Sequence, residues 1–226
     1  DDKGGCIRLP TDLPEEKVLM SQLLGTVIHS FYKIGNIIDQ DVLVIGQGPV
    51  GLLFNAVLRN LGARRIIALD KLDYRLDVGR KMGATHVINP TQQDPATAVA
   101  QITGGAMADL VVEAVGITDT LNLVPSLCRR NAQVICFGVP DKEHHEGLCN
   151  IRVLDMLRQE LRLTFSVGPN PDRDYRPALD WIVQNRIDVA PIVSHVLPFD
   201  QIQQAFVMAF DEPEPHQALK IVLNLS

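Results

Sequence analysis

The stretch that decides the fold is Asp41-Val-Leu-Val-Ile-Gly-Gln-Gly-Pro-Val-Gly-Leu52. Val42 to Ile45 form a short continuous apolar run that ends at a glycine, which is typical of a strand buried on both faces of a parallel sheet. A glycine-rich turn with the spacing G-x-G-x-x-G follows, and a helical pattern begins after it. A strand, a glycine turn and a helix in this order predict a turn that binds phosphate groups at a helix N-terminus.

Each residue of this turn suits a particular task. Gly46 permits the tight turn, Gly48 lets a pyrophosphate approach the backbone, and Gly51 lets the helix pack closely on the strand. Pro49 and Val50 fall in the first helical turn, where the helix dipole favours an anion and where the missing N–H of proline would have been unpaired anyway. These five residues are the first candidates for a cofactor-binding site.

Asp70 is the second element of the pattern, at the end of the next predicted strand and 19 residues after Gly51. A carboxylate at this place accepts hydrogen bonds from the adenosine ribose of a dinucleotide and repels the additional phosphate of NADP, so it favours NAD. Lys71 and Arg75 lie close by in the sequence, and these cations could accommodate that phosphate. NAD is therefore the expected cofactor, and NADP stays open as the second possibility.

Apolar runs and helical patterns alternate on both sides of this stretch. The predicted strands cover residues 41–46, 65–70, 86–89, 108–115, 132–137 and 161–167, with helical patterns between them. This alternation predicts a doubly wound parallel sheet, the α/β Rossmann fold. We assign residues 1–14 to the end of a preceding domain or linker, 15–190 to the dinucleotide-binding domain with its flanking N-terminal helix, and 191–226 to a C-terminal tail.

The composition excludes several classes of function. The 226 residues carry a net charge of −6, which argues against a nucleic acid partner, and 46% of them are hydrophobic, which is enough for a core. No apolar run is long enough to span a membrane. Four irregularly spaced cysteines, Cys6, Cys128, Cys136 and Cys149, predict no zinc cluster and favour a reducing, cytoplasmic location. Cys136 lies in an apolar run and is expected to be buried.

Other polar residues have simpler structural interpretations. The His144-His145 pair between Glu143 and Glu146 is expected to be a solvated loop, and His29 is expected to be a half-buried histidine with a satisfied partner. Glu113 lies inside a predicted buried strand, where a carboxylate needs partners, so we interpret it as structural. The charges of Asp172-Arg-Asp174 and Arg129-Arg130 are expected to face solvent.

Several motifs together resemble the medium-chain dehydrogenase/reductase superfamily, and in particular the coenzyme half of zinc-type alcohol, sorbitol and threonine dehydrogenases. The resemblance covers nearly the whole chain from Leu9. The motifs that carry it, besides the stretch quoted first, are Gly83-Ala-Thr-His-Val-Ile-Asn89, Asp109-Leu-Val-Val-Glu-Ala-Val-Gly116, Phe137-Gly-Val-Pro140, Ala205-Phe and Ala218-Leu-Lys-Ile-Val222.

The resemblance implies further site residues. Ala114, Val115 and Gly116 would line the adenine and ribose side of the cofactor. Backbone groups of Phe137, Gly138 and Val139, and of Phe165, Ser166 and Val167, would meet the nicotinamide carboxamide, and Thr26 would lie against the nicotinamide ring. In such enzymes a zinc ion binds the substrate alcohol before hydride passes to the nicotinamide.

Two departures from the family pattern concern zinc. The family's N-terminal catalytic domain, which supplies its Cys and His-Glu ligands, has no counterpart here, and residues 5–14 resemble only the end of that domain. Where sorbitol dehydrogenase relatives often carry Glu-Pro before the first strand, this chain has Gln22-Leu23. The catalytic residues are therefore unknown, no metal ligand is predicted in this chain, and zinc is expected only in a full-length protein, if at all.

The leading hypothesis is the NAD(H)-binding domain of an NAD-dependent alcohol or polyol dehydrogenase that acts on a small alcohol or ketone and is inactive as this chain alone. One alternative is a zinc-independent quinone or enone reductase of the same superfamily, and another is a nucleotide-binding module without catalysis. A homo-oligomer is also expected, paired through residues 161–167 or 191–196 if either is an exposed sheet edge.

Overall fold

The glycine turn lies at the centre of a six-stranded, wholly parallel sheet. The computed structural model describes residues 7, 9, 10, 13–140 and 150–225. Its sheet strands are β1 (Asp41–Ile45), β2 (Arg65–Leu69), β3 (His86–Ile88), β4 (Ala108–Glu113), β5 (Cys128–Cys136) and β6 (Arg162–Phe165). Their order is β3-β2-β1-β4-β5-β6, which confirms the predicted doubly wound Rossmann fold.

Helices connect the strands and cover both faces of the sheet. They are α1 (Glu15–Val18), α2 (Met20–Phe31), α3 (Pro49–Asn60), α4 (Asp73–Lys81), α5 (Pro95–Thr103), α6 (Thr118–Leu127), α7 (Val153–Arg158), α8 (Arg176–Val183) and α9 (Ile202–Phe206). None of the described helices is long and apolar enough to cross a membrane.

The two faces of the sheet pack into two separate cores. Successive residues of a strand point to opposite faces, and so Val42 and Val44 pack with Phe54 of α3 in one core. Leu43 and Ile45 pack in the other core with residues of α5 and α6. All five residues of β1 are buried, which is why its sequence is continuously apolar after Asp41.

The N-terminal helix differs from the prediction in where it is interrupted. The pattern over residues 15–34 predicts an interruption at Gly25, but α2 runs through Gly25 and the break lies at Leu19. A Cβ on Gly25 would lie 2.5 Å from Cδ1 of Tyr175. The glycine therefore serves the close packing of the Tyr175 ring on the helix.

The C-terminal tail forms a sheet of its own. Strands β7 (Val193–Pro198) and β8 (Lys220–Asn224) pair in parallel with each other and do not join the main sheet. The predicted helix over 201–210 is divided into α9 and a wider π turn over Val207–Asp211. Cys6, Cys149 and the Glu143–Glu146 segment lie outside the described residues.

Candidate functional site

In the glycine turn between β1 and α3, two of the three glycines, Gly46 and Gly51, leave no room for a side chain, and the third, Gly48, does. Gly46 has a φ of +91°, which favours glycine, and a Cβ on Gly51 would lie only 1.8 Å from the carbonyl oxygen of Gly46. A Cβ on Gly48 would meet nothing within 4 Å. The turn therefore packs tightly against its own helix while leaving free space over Gly48. Pro49 is the first residue of α3, and the start of the helix carries no side-chain cap.

The buried side-chain amides of Gln47 and Asn55 support this turn, a contact that the sequence analysis did not predict. The Gln47 Nε2 donates to the carbonyl oxygens of Val44 and Gly46 at 3.2 and 3.1 Å, and its Oε1 accepts from Asn55 Nδ2 at 2.6 Å. Both side chains are fully buried. Asn55 is the residue from which the contact could have been predicted, because a buried asparagine within the apolar pattern of α3 needs a hydrogen-bond partner.

Asp70 lies at the end of β2 with its carboxylate directed at the glycine turn. Its Oδ2 accepts from the Gln47 backbone N–H at 2.7 Å, and its Oδ1 accepts from the Leu72 N–H at 3.0 Å. Each carboxylate oxygen can accept more than one hydrogen bond, so both retain capacity for ribose hydroxyls. Lys71 is exposed, and Arg75 Nη1 lies 4.0 Å from Asp70 Oδ2.

Tyr74 links this corner to the C-terminal tail, another contact absent from the sequence analysis. Its hydroxyl accepts from Arg75 Nε at 3.1 Å, and it lies 3.0 Å from the Ala218 carbonyl and 3.3 Å from that of Pro213. The hydroxyl has one proton to donate, so it binds one of these two carbonyls at a time. Arg75, a candidate cofactor residue, is thus held in place by an aromatic neighbour.

The ends of β4 and β5 meet through glycines and Glu113. A Cβ on Gly116 would lie 2.3 Å from the Val139 carbonyl oxygen, and one on Gly138 would lie 2.1 Å from the Gly116 nitrogen. Glu113 Oε1 accepts from the N–H groups of Val115 and Gly116 at 2.9 Å each. The structure therefore brings the predicted segments 114–116 and 137–139 into direct contact, and it confirms that Glu113 has partners.

The segment after β6 lies beside α2, the helix that carries Thr26. The Ser30 hydroxyl donates to Ser166 Oγ at 3.1 Å, one helical turn after Thr26. Ser166 is buried, whereas Phe165 and Val167 are 70% and 62% exposed. Thr26 is itself buried and donates its hydroxyl to the Gln22 carbonyl within the helix at 3.0 Å.

Asp174 corrects the prediction that the charges of 172–174 face solvent. Its side chain is fully buried, with Oδ2 2.7 Å from His29 Nδ1 and 2.6 Å from the Asn170 N–H, which donates to it. Arg173 Nε donates to Oδ1 at 2.6 Å. Burial alone would raise the pKa of Asp174, but these hydrogen bonds and the Arg173 charge hold that pKa below its usual value. His29 is half-buried and paired, as predicted.

The other predicted surface charges and cysteines also have defined surroundings. Arg129 Nε donates to Asp109 Oδ1 at 2.6 Å, and Arg130 pairs with Glu160, so both arginines are exposed but not free. Cys128 and Cys136 are buried free thiols, which confirms the prediction for Cys136. Burial raises the pKa of each thiol to about 11, so neither is a reactive thiolate at neutral pH.

A zinc ion does not fit the described part of the chain. Over those residues, no three His, Cys, Asp or Glu side chains are grouped closely enough to hold a metal. Gln22 stands where sorbitol dehydrogenase relatives often carry the glutamate of Glu-Pro, and its Nε2 lies 3.5 Å from the Tyr175 hydroxyl oxygen. A cavity of about 410 Å³ lies at the C-terminal ends of α3 and α4, away from the glycine turn, and so does not mark the candidate site.

Comparison with known proteins gives one family. The family model described as zinc-binding dehydrogenase matches residues 49–184. L-threonine 3-dehydrogenase from Bacillus licheniformis is 28% identical over 197 residues, which are 87% of this chain and 56% of that protein. The chain thus spans a little over half the length of this relative.

Solved structures agree in fold. Alcohol dehydrogenase TADH from Thermus sp. ATN1 superposes with a TM-score of 0.85 at 28% identity, over 97% of this chain and 61% of that one. L-idonate 5-dehydrogenase from Escherichia coli gives a TM-score of 0.84 at 22% identity, over 96% and 59%. The family match covers more than half of the chain, begins at Pro49 within the glycine turn and includes Asp70 and the ends of β4 and β5, and so this chain belongs to the zinc-binding dehydrogenase family.

Proposed function

We propose that the chain is the nicotinamide dinucleotide-binding part of an oxidoreductase that transfers hydride between a secondary alcohol and the cofactor. The observation that carries the proposal is the free space over Gly48, set between two closed glycine positions at the N-terminus of α3. Family membership supports the oxidoreductase class. The site also lies where the strand order reverses between β1 and β4, which is where open α/β sheets bind ligands.

Different residues of the site would bind different parts of the cofactor. The N–H groups of Val50 and Gly51 would receive the pyrophosphate, and Asp70 would accept hydrogen bonds from the adenosine ribose. Residues 114–116 would line the adenine and ribose side, while residues 137–139 and 165–167 would meet the carboxamide and Thr26 the nicotinamide ring. When bound, the cofactor supplies the hydride acceptor or donor, and these residues bind and orient it.

NAD is the proposed cofactor because of Asp70. Its carboxylate is fixed by two backbone N–H groups, so it cannot easily turn away from a 2′-phosphate. Arg75 is the argument for NADP, because its guanidinium faces Asp70 at 4.0 Å. That guanidinium is already engaged with the Tyr74 hydroxyl through Nε, which favours NAD.

Titration with NADH and with NADPH, followed by nicotinamide fluorescence, tests this proposal. We expect NADH to bind at least about tenfold more tightly, a difference of ~1.4 kcal/mol that one charge repulsion can supply. A preference for NADPH would favour the zinc-independent quinone or enone reductase, which the Gln22 position also supports. Binding of neither would favour a module without dehydrogenase function.

We also propose that this chain binds cofactor without oxidising alcohols by itself. The described residues include no cluster of metal ligands, and zinc would belong only to a longer protein, if to any. The free thiols of Cys128 and Cys136 support the reducing, cytoplasmic location expected from the sequence. Zinc-dependent alcohol oxidation by this chain would contradict the proposal.

A further inference from the structure

One carboxylate oxygen of Glu113 has no hydrogen-bond partner within the part of the chain that the structure describes. The residue is the last of β4 and is fully buried. Its Oε1 accepts from Val115 N–H and Gly116 N–H. The Thr120 hydroxyl lies 2.8 Å from both Oε1 and the Ile117 carbonyl oxygen, so it donates its one proton to one of them at a time. Glu113 Oε2 is buried and unpaired among the described residues. A buried acceptor without a partner is costly, and shaping the turn requires only Oε1.

The charge of this carboxylate is also uncompensated. In the part of the chain that the structure describes, no Lys, Arg or His nitrogen forms an ion pair with Glu113, whereas other buried carboxylates such as Asp41 and Asp174 each pair with arginine. The field of Glu113 reaches its neighbour on β5, because burial and then the Glu113 charge raise the pKa of Cys136. The carboxylate therefore acts on the surroundings of the β4 and β5 ends.

The unpaired oxygen lies beside Gly138, on the side of the proposed site that would hold the nicotinamide. A Cβ on Gly138 would lie 2.7 Å from Oε2, and Gly138 is one of the residues whose backbone would meet the carboxamide. The N–H groups of Phe137 and Gly138 also donate to the Glu113 carbonyl oxygen at 2.9 and 3.0 Å. Glu113 thus lies directly beneath the backbone on which the nicotinamide would rest.

We propose that Glu113 is a positioning residue whose uncompensated negative charge makes the site favour the oxidised cofactor, NAD⁺, over NADH. The inference rests on the proposed cofactor-binding function. The nicotinamide ring of NAD⁺ carries a positive charge that the ring of NADH lacks, and the two are otherwise nearly the same in shape. A fixed charge in a water-poor interior therefore separates the two affinities, since screening there is weak.

The test is the ratio of the two dissociation constants, Kd(NAD⁺)/Kd(NADH), with NADH followed by fluorescence and NAD⁺ by displacement of NADH. Glu113→Gln removes the charge and keeps an acceptor for the turn, and we expect it to raise the ratio by about threefold or more. Glu113→Asp keeps the charge and should leave the ratio near the wild-type value even where both affinities fall. Asp109→Asn neutralises a carboxylate at the other end of β4 and should not change the ratio.

A purely structural role for Glu113 gives a different result, because Glu113→Gln would then weaken both affinities equally. If Glu113→Gln does not fold, Thr120→Val provides the test, since it removes a hydroxyl that can donate to Glu113 Oε1 and should therefore lower the ratio. A ratio that stays or rises in Thr120→Val overturns the inference. Wild-type chain that binds neither form overturns the proposed function instead, so the two failures are distinct.

Discussion

Asp174 is a buried charge that joins elements distant in the sequence. It lies in the π turn over Pro171–Tyr175 and faces His29 of α2 across 145 positions of the chain. The two residues before it, Asp172 and Arg173, are exposed and give the triplet the appearance of a surface turn. Local sequence could not predict its burial, because the burial follows from tertiary contacts alone.

We expect Asp174→Asn to lower the free energy of unfolding at pH 7 by roughly 1–3 kcal/mol, because a buried hydrogen-bonded charge is replaced by a weaker acceptor. The pKa of Asp174 is lowered in the folded chain, so its stabilisation is present above the unfolded pKa of about 3.9 and is lost as the pH falls through the folded pKa. Urea unfolding at several pH values measures the difference. Asp172→Asn is the exposed control, and an equal loss at every pH would contradict the assignment.

Single residues of the candidate site differ in how far they could be predicted. Gly46, Gly51 and Asp70 were identifiable because their roles follow from local backbone geometry and fixed spacing. The partners Gln47–Asn55 and Tyr74–Ala218 depend on which side chains the fold brings together, and no local pattern carries that information. The same is true of the unpaired oxygen of Glu113, although its place in a buried strand already indicated an unusual carboxylate.

At the level of elements, the start of α3 was predicted by the glycine turn, which places Pro49 and Val50 in the first helical turn, and not by apolar spacing. Apolar spacing marks the helix from Leu52, whereas α3 begins at Pro49. Pro49 and Gly51 interrupt the apolar periodicity in the first helical turn, so the periodicity begins later than the helix itself. β5 shows the same effect, because its first residues, Cys128 to Asn131, are mostly polar and extend a strand that the apolar run places at 132.

Two alanine substitutions in this turn should have opposite effects. Gly48 has a φ of −70° and open space at its Cβ position. Gly48→Ala should therefore change the free energy of unfolding by no more than about 0.5 kcal/mol from the wild-type value. The added methyl would occupy the approach of the pyrophosphate, so NADH affinity should fall about tenfold or more. Gly51→Ala places a Cβ 1.8 Å from the Gly46 oxygen and should lose roughly 2 kcal/mol or more of stability.

Thermal unfolding together with NADH fluorescence distinguishes these outcomes. The matched pair separates a glycine needed for the ligand from a glycine needed for the fold. Wild-type NADH affinity in Gly48→Ala would contradict the placement of the pyrophosphate at this turn.

For the whole molecule, the alternation of strands and helices predicts a doubly wound parallel sheet, but it predicts neither the strand order nor which edge of the sheet is exposed. β6 is an outer strand of the main sheet, and it carries the exposed apolar residues Leu163 and Phe165. Leu154 and Leu157 of the preceding α7 are also exposed, at 56% and 68%. The other predicted pairing segment, 191–196, overlaps β7, which belongs to the separate two-stranded sheet with β8 and not to the main sheet. Of the two, β6 is the better candidate for pairing between subunits.

We therefore expect the chain to form a homodimer through β6, with the two edge strands related by a twofold axis. Sedimentation over a range of protein concentrations measures the assembly state. Leu163→Lys should shift the equilibrium to monomer, since a charge would face the edge of the partner. Val183→Lys changes a similarly exposed residue of α8 and should have no effect. A wild-type chain that sediments as a monomer at all concentrations would contradict this expectation.

The parallel pairing of every strand in the main sheet also affects how the chain reaches this structure. β1 pairs with β4 in the register Val42↔Leu110, so the central pairing must wait for the closure of a long loop that contains five other elements, α3, β2, α4, β3 and α5. Non-local pairing of this kind slows folding and prolongs the exposure of apolar strands to neighbouring chains. Refolding from denaturant should accordingly lose material to aggregation as protein concentration rises, with the apolar β1 segment among the regions most exposed.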